Sequence, residues 1–302
     1  MKITAFEIEN LYGRYTIKSQ LDEKVNIIVG NNGTFKSTML DFIRFLAIDS
    51  IEPTLTYGSA TMSLEDGIVA TSKPTTSHPE GKDAKVNLTI TSSTREITLN
   101  GETLPAEEYP KHLKLDFIST FDIKDKDVNT QQTFLDKRLV QLQSDYGYYL
   151  NGLQKQFTGY LNKQGVVTKE IYNQIYTRKT LFDHLVNEAF KETGKVIDNE
   201  SDKLRFIIDG KTSIDANKLS SGEKQLLIIL LTVLLEDGQE YVLMMDEPEI
   251  SMHISWQYEL LNWILELNPN VQLILTTHSP SIFSDGWGEK AIYMEDITTK
   301  KI

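Results

Sequence analysis

The 302-residue chain contains no cysteine, which excludes disulfides and thiolate metal sites and leaves its redox compartment undetermined. It lacks a long hydrophobic run: the longest apolar stretch, Leu226 to Leu235, is about half of what a membrane span needs. Met1-Lys2-Ile3-Thr4-Ala5-Phe6 enters alternation directly, without the apolar core of a signal peptide, so a soluble, cytoplasmic protein with no membrane partner is expected. It also lacks an excess of positive charge. The formal net charge of −12 argues against broad attraction to nucleic acid, because phosphate is neutralised by Lys and Arg. Residues 151–195 are an exception at +3, with seven basic and four acidic residues, which reads as a solvated helix face. With 40% hydrophobic and 25% charged residues, the chain can bury one large core or two modest ones.

Val25 to Val29 is an apolar, β-rich run. Gly30-Asn31-Asn32-Gly33-Thr34-Phe35-Lys36-Ser37-Thr38 follows, and then a helical pattern through Met39, Leu40, Phe42, Ile43 and Leu46. Strand, glycine loop and helix in this order suit phosphate. Successive backbone N–H groups cradle the oxygens, the helix N-terminus adds its dipole, Lys36 reaches the β and γ phosphates, and the Ser37 hydroxyl meets magnesium. The pattern G-x-x-x-x-G-K-[ST] asks for glycine at position 35, where this chain has phenylalanine. Glycine serves there when the backbone needs φ > 0 or must approach a pyrophosphate closely. Either the Phe35 ring points away while the N–H groups stay in place, or nucleotide binds loosely and turns over slowly.

A second apolar run, Tyr241 to Met245, ends in Asp246-Glu247-Pro248. As a buried parallel strand it would deliver two carboxylates at its C-terminal edge, where open α/β sheets bind ligands. One can hold magnesium and the other can orient a water; alone, however, Asp-Glu at a strand tip also reads as a solvated turn. Upstream, Leu219-Ser220-Ser221-Gly222-Glu223-Lys224-Gln225 opens a helix through Leu235. The N–H groups of Ser220, Ser221, Gly222 and Glu223 then sit at a helix start and can address a γ phosphate. Downstream, strand Val271 to Thr276 leads into Thr277-His278-Ser279-Pro280.

Taken together, Gly30 to Thr38, Leu219 to Gln225, Asp246-Glu247-Pro248-Glu249 and His278 resemble the Walker A, signature, Walker B and switch-histidine motifs of an ABC-type ATPase head. Leu-Ser-Ser-Gly-Glu-Lys-Gln, Ser251 to Gln257 and Thr-Thr-His-Ser-Pro are similar to the overcoming-lysogenisation (OLD) and RecF-like group, of bacterial anti-phage type, rather than to transporters. The resemblance spans nearly the whole chain. It implies ATP and Mg2+ as ligands and a homodimer that closes around them, with Ser37 and Asp246 on the metal, Glu247 on the water and His278 on the γ phosphate. The glutamine that senses the γ phosphate in many heads is missing. Thr120 or Asp122 can substitute, or Gln131 and Gln132 lie too far along to help.

The expected fold class is α/β, an ABC-type P-loop head with a mixed or parallel sheet core, an antiparallel β subdomain and an inserted helical subdomain. As one ATPase domain, residues 1–302 divide into a β-rich lobe (1–128), a helical insertion (129–195) and a C-terminal lobe (196–302). Within the first lobe, Lys2 to Glu9 and Arg14 to Leu21 read as strands, and Arg14 and Tyr15 are either ribose or adenine contacts or ordinary edge residues. Pro53 to Pro79 reads as loops and irregular β structure. Lys85 to Ser92, Arg95 to Glu102 and Leu115 to Ser119 read as strands of the antiparallel subdomain. Two helices, broken at Gly165 to Thr168, fill Thr133 to Phe190. No acidic constellation of a nuclease follows His278, so the effector, a nuclease or toxin, is expected to act in trans. DNA binding of RecF type and an ATP-gated scaffold without useful hydrolysis are the other expectations, the latter because of Phe35.

Overall fold

The computed structural model describes residues 1–48, 53–77, 90–104, 113–119, 133–201 and 203–301. Thr120, Asp122, Gln131 and Gln132 lie outside them. The first elements are β1 (Ile3–Leu11), β2 (Tyr15–Gln20), β3 (Val25–Val29), α1 (Lys36–Ile48), β4 (Ser59–Leu64), β5 (Ile68–Ser77), β6 (Ile90–Leu99), β7 (Glu102–Thr103) and β8 (Leu115–Ser119). Helices α2 (Phe134–Gln164) and α3 (Lys169–Ala189), strands β9 (Lys195–Ile197), β10 (Arg205–Ile208) and β11 (Thr212–Asp215), and helix α4 (Ser221–Leu235) follow. The remainder is β12 (Tyr241–Asp246), α5 (Ile254–Leu267), β13 (Val271–Thr277), β14 (Ala291–Tyr293), α6 (Met294–Ile297) and β15 (Thr298–Lys300). Among the described residues, no helix is long and apolar enough to cross a membrane.

The chain forms two compact units. The first comprises Met1–Ile118, Glu240–Glu247 and Gln272–Ile302. It contains a sheet in the order β14-β3-β13-β12-β8, in which β3 runs parallel to both β13 and β14. β12 and β13 are buried at every residue, as a parallel strand covered on both faces requires. Helix α1 turns Met39, Leu40, Phe42, Ile43 and Leu46 into the core, a spacing that keeps one face of a 3.6-residue period inside. A second sheet, β15-β2-β1-β4-β5-β6-β7, supplies Phe6, Ile8, Met62 and Ile97 to the same core cluster.

Three readings of this unit need correction. Residues 59–77 are a hairpin rather than irregular chain: β4 and β5 turn at Gly67, whose φ of +78° favours glycine. β5 tolerates Pro74 because β4 pairs only as far as Ser72, so that among the described residues β6 alone flanks β5 at Pro74. The separate strands read at Lys85 to Ser92 and Arg95 to Glu102 are one over the described residues: 85–89 lie outside them, and β6 runs unbroken through Ser93-Thr94, held by continuous pairing to β5. β8 adds to the parallel sheet beside β12, not to the antiparallel one. After β14 the chain makes a short helix and returns as β15, which pairs with β2.

The second unit comprises Ser119–Gln239 and Pro248–Val271. Thr133 begins α2 with a capping box, its hydroxyl accepting from Asp136 N at 3.2 Å while the Asp136 carboxylate accepts from Thr133 N at 3.1 Å. Gly165, at φ +73°, ends α2, and Thr168 caps α3. Asp209-Gly210, both at positive φ, turn the β10–β11 hairpin as read. α4 is apolar nearly all round and buried along most of its length, packed against α2, α3 and α5.

Candidate active site

In the first unit, β3 stops at Val29 and α1 starts at Lys36, leaving residues 30–35 as a loop between a strand tip and a helix N-terminus. Gly33 has φ +81°. A Cβ on Gly30 would stand 2.6 Å from Thr34 Oγ1 and 3.0 Å from Met294 Cβ, so close approach fixes glycine there. Thr34 Oγ1 donates to Asn31 O at 2.7 Å and closes the turn. Asn31, Asn32, Gly33 and Ser37 are exposed, and Thr38 is half-buried.

Phe35 takes φ +69°, the left-handed conformation for which the motif normally reserves glycine. Its ring centroid lies 5.1 Å from that of Tyr15 and 6.0 Å from that of Tyr12, against the β1–β2 hairpin. A side chain in this region costs about 1–2 kcal/mol, and each aromatic contact returns roughly 0.5–1.5 kcal/mol, so the two effects nearly cancel. The ring therefore packs on the hairpin, as the first of the two alternatives for Phe35 required. Tyr15 carries Phe35 and also faces the Lys300 ammonium, 6.0 Å from its ring centre.

Lys36 is only 5% exposed. Its ammonium donates to Gly30 O at 3.0 Å and Asn31 O at 3.3 Å, and it stands 2.7 Å from His278 Nε2 and 3.8 Å from Glu247 Oε1. Acceptors and a carboxylate around a buried cation offset its lost hydration. The same Nε2 of His278 is 2.8 Å from Glu247 Oε1. A neutral Nε2 accepts from Lys36 or, in the other tautomer, donates to Glu247; one nitrogen cannot do both at once.

Asp246 and Glu247 leave the tip of β12 side by side. Ser37 Oγ donates to Asp246 Oδ1 at 3.2 Å, and the buried Thr276 hydroxyl donates to the same oxygen. Glu247 has φ +50°, and its N–H reaches Thr276 O at 3.0 Å and Thr276 Oγ1 at 3.1 Å. Thr276 thus holds the carboxylate of Asp246 and the backbone of Glu247. The motif reading gave it no chemical role; its sequence signal is its place two residues before His278, as the first residue of Thr-Thr-His-Ser-Pro. In α1, burial pushes the Asp41 carboxyl up, Arg44 opposes the shift and Asp246 adds to it.

The described residues suit both ligands that the motifs imply. A hydroxyl and a carboxylate converge as hard oxygen donors of the kind magnesium prefers. Beside them are an open helix N-terminus, a glycine loop and a lysine.

Ser220, Ser221, Gly222 and Glu223 belong to the second unit. Ser220 caps α4, and Glu223 completes the capping box, accepting from Ser220 N and Oγ at 2.9 Å each. Its other oxygen accepts from Lys195 Nζ at 2.7 Å and Thr193 Oγ1 at 2.8 Å. Burial opposes ionisation of Glu223 most strongly, but these hydrogen bonds, led by that from Lys195, hold its carboxyl below the usual range. A Cβ on Gly222 would stand 2.2 Å from the Ser251 carbonyl oxygen, so this glycine is required for packing. His253 caps α5, its Nδ1 accepting from Ser255 N at 3.4 Å.

A parallel sheet that gathers a phosphate-loop lysine, a strand-tip Asp-Glu pair and a histidine at the following strand defines an ABC-like ATPase. The family described as “AAA domain, putative AbiEii toxin, Type IV TA system” matches residues 25–284, and the chain belongs to it. It is 30% identical over 132 residues to the retron Ec83 probable ATPase of Escherichia coli, covering 38% of this chain and 24% of that protein. To the retron Vc95 probable ATPase of Vibrio cholerae serotype O1 biovar El Tor it is 25% identical over 150 residues, covering 43% and 29%. An uncharacterised protein of Dictyostelium discoideum is 32% identical over 131 residues, covering 39% and 16%. The chain thus spans less than a third of the length of these relatives.

Among solved structures, an SMC head bound to the C-terminal winged-helix domain of ScpA superposes with a TM-score of 0.59 at 13% identity, covering 94% of this chain and 92% of that one. An SMC head with an extended coiled coil, bound to the C-terminal domain of ScpA derived from Pyrococcus furiosus, gives 0.53 at 13%, covering 94% and 91%. At this identity the likeness shows the fold alone, which is the α/β head expected from the motifs.

Proposed function

We propose that this chain is an ATP-binding and ATP-hydrolysing head that forms a homodimer around ATP and magnesium and so controls a partner effector, a nuclease or toxin, in anti-phage defence. The observation that carries the reading is the convergence of Lys36, Ser37, Asp246, Glu247 and His278 at one end of the parallel sheet. Lys36 neutralises phosphate charge, and the amides of Gly30, Asn31, Asn32, Gly33 and Thr38 surround the phosphates. Ser37 and Asp246 hold the metal. When bound, magnesium supplies charge neutralisation on the β and γ phosphates. Glu247 orients the attacking water and His278 contacts the γ phosphate, each aimed by its neighbours. Ser220, Ser221, Gly222 and Glu223 act on the nucleotide held by the second copy.

The retron ATPases and the toxin–antitoxin family support the assignment to defence. Within ATPase heads, the motif spelling supports an OLD/RecF-like affiliation. The net charge of −12 gives no support to DNA as the principal partner.

The test is phosphate release by the purified chain with and without magnesium, together with sedimentation with and without ATP. Magnesium-dependent turnover and an ATP-dependent shift from monomer to dimer are expected. A chain that binds no ATP at millimolar concentration would contradict the proposal, and salt-sensitive DNA binding by the dimer would favour the RecF-type alternative.

A further inference from the structure

The first turn of α4 is held on three sides within the second unit. Gly222 lies against the Ser251 carbonyl, Glu223 is bound by Lys195 of β9, and the Lys224 ammonium donates to Asp136 Oδ1 of α2 at 2.7 Å. Successive helical residues are turned by about 100°, so Gln225 faces the remaining side. It is 2% exposed.

Neither end of the Gln225 amide has a partner: Nε2 and Oε1 are both buried and unbonded. Two turns on, the hydroxyl of Thr232, 3% exposed, is in the same position. Seven residues return a helix to nearly the same face, so the two side chains form one stripe. Thr232 is also the single polar residue between Leu226 and Leu235.

The contrast with the neighbouring polar groups is sharp. Glu223 uses both oxygens, and Lys224 finds Asp136. A buried amide or hydroxyl that has given up water without gaining a partner weakens the fold, whereas an apolar side chain of similar size would strengthen it. The deficit is confined to one stripe of the helix that begins with the signature cap. A packing in which that stripe met donors and acceptors would therefore compete with this one. The restraints on α4 permit it: packed helices shift by about 1–2 Å between states, the flexible stems of Lys195 and Lys224 can follow, and Gly222 has no side chain to lock the register.

We propose that α4 has a second seating in the second unit, in which Gln225 and Thr232 are hydrogen-bonded, and that nucleotide held between two copies selects it. The selecting step rests on the reading above, that the Ser220 to Glu223 cap acts on the nucleotide of the second copy. Cap and stripe belong to one helix, so drawing in the cap moves the stripe. Gln225 is thus a positioning residue, and it sets how readily the cap closes on phosphate.

The experiment uses the full chain as wild type, Gln225→Met and Thr232→Val. Urea unfolding is measured without nucleotide, and ATP binding and sedimentation are measured across an ATP series. Both substitutions keep side-chain size and remove the unpaired polar atoms. Gln225→Met decides; Thr232→Val repeats the test where the change of shape is least. The urea midpoint should rise, with the unfolding constant of Gln225→Met falling about tenfold. ATP-dependent dimerisation should weaken by about tenfold, because the present seating is now favoured, while ATP binding to the monomer stays as in wild type. A merely structural residue would not give a chain that is more stable yet closes less well. A midpoint that stays or falls in Gln225→Met would overturn the proposal, and so would a raised midpoint with wild-type dimerisation. A wild-type chain that remains monomeric in ATP would overturn the dimer reading and the selecting step together, which separates that failure from this one.

Discussion

Nε2 of His278 lies 2.8 Å from Oε1 of Glu247, and the same nitrogen is 2.7 Å from the Lys36 ammonium. The group meant for the phosphate, the group meant for the water and the switch histidine are therefore in mutual contact. A nucleotide entering the loop must redistribute these contacts, because Lys36 cannot keep its present acceptors and also neutralise a γ phosphate. Which neighbour Glu247 then keeps decides how well it can aim a water.

Thr276 is the support for that aim. Thr276→Val keeps the shape but removes the hydroxyl that reaches both Asp246 Oδ1 and the Glu247 amide. Turnover should fall about 10- to 100-fold, the usual effect of losing such a supporting contact, while ATP still binds. Phosphate release measured beside nucleotide binding checks this; an equal loss of both would place Thr276 in folding alone.

Phe35→Gly should leave ATP affinity unchanged and lower stability modestly. The ring packs on Tyr12 and Tyr15, so its removal forfeits aromatic packing while relieving left-handed backbone strain. Because the two effects nearly cancel, the net cost should not exceed about 1 kcal/mol. Denaturant midpoints and nucleotide titration check both parts, and tighter ATP binding in the variant would mean that the ring does hold the loop away from phosphate.

The contrast between this loop and the β-rich segment shows what sequence could reveal. α1 starts, and α4 starts and stops, where the pattern puts them because local chemistry decides: a glycine loop before Lys36, a Ser220–Glu223 capping box, and an apolar face or core beyond. β5 was hidden by its Thr, Ser and Pro, whose strand state depends on pairing to β6 across the sheet. β15 is three residues long and is defined by its partner β2. Asp246, Glu247 and His278 were legible from type and spacing, whereas the part played by Thr276 exists only once β12 and β13 lie side by side. The left-handed φ of Phe35 was legible as a requirement, but the two tyrosines that receive its ring were not.

Gly222→Ala should destabilise the second unit by roughly 1–3 kcal/mol, the cost of forcing a methyl into packed backbone. The new Cβ would meet the carbonyl oxygen of Ser251, itself at φ +66°, and neither is the end of a flexible side chain. Urea unfolding of the variant is the check, and wild-type stability would mean that the Ser251 turn yields freely.

Acid should weaken the same unit. Glu223 and Asp136 are both opposed by burial, yet hydrogen bonds led by Lys195 and Lys224 respectively hold them below their usual range. A depressed folded-state value means that this stabilisation is present at neutral pH and is lost as pH falls below the ordinary carboxylate range. The urea midpoint should therefore drop on acidification, and Lys195→Met should show a lower neutral midpoint with a shallower acid slope. An unchanged slope would remove the Lys195–Glu223 pair from the account.

The most direct measurement is a paired assay of Glu247→Gln and wild type, recording ATP retained on the protein, phosphate released and sedimentation in the same samples. The amide keeps the size of the carboxylate but cannot orient a water as a base does, whereas Lys36, Ser37 and Asp246 are untouched. Bound ATP at wild-type affinity or better, phosphate release near zero and an accumulated dimer are predicted. Equal turnover in the two proteins would contradict the central claim that Glu247 is the hydrolytic carboxylate of this site.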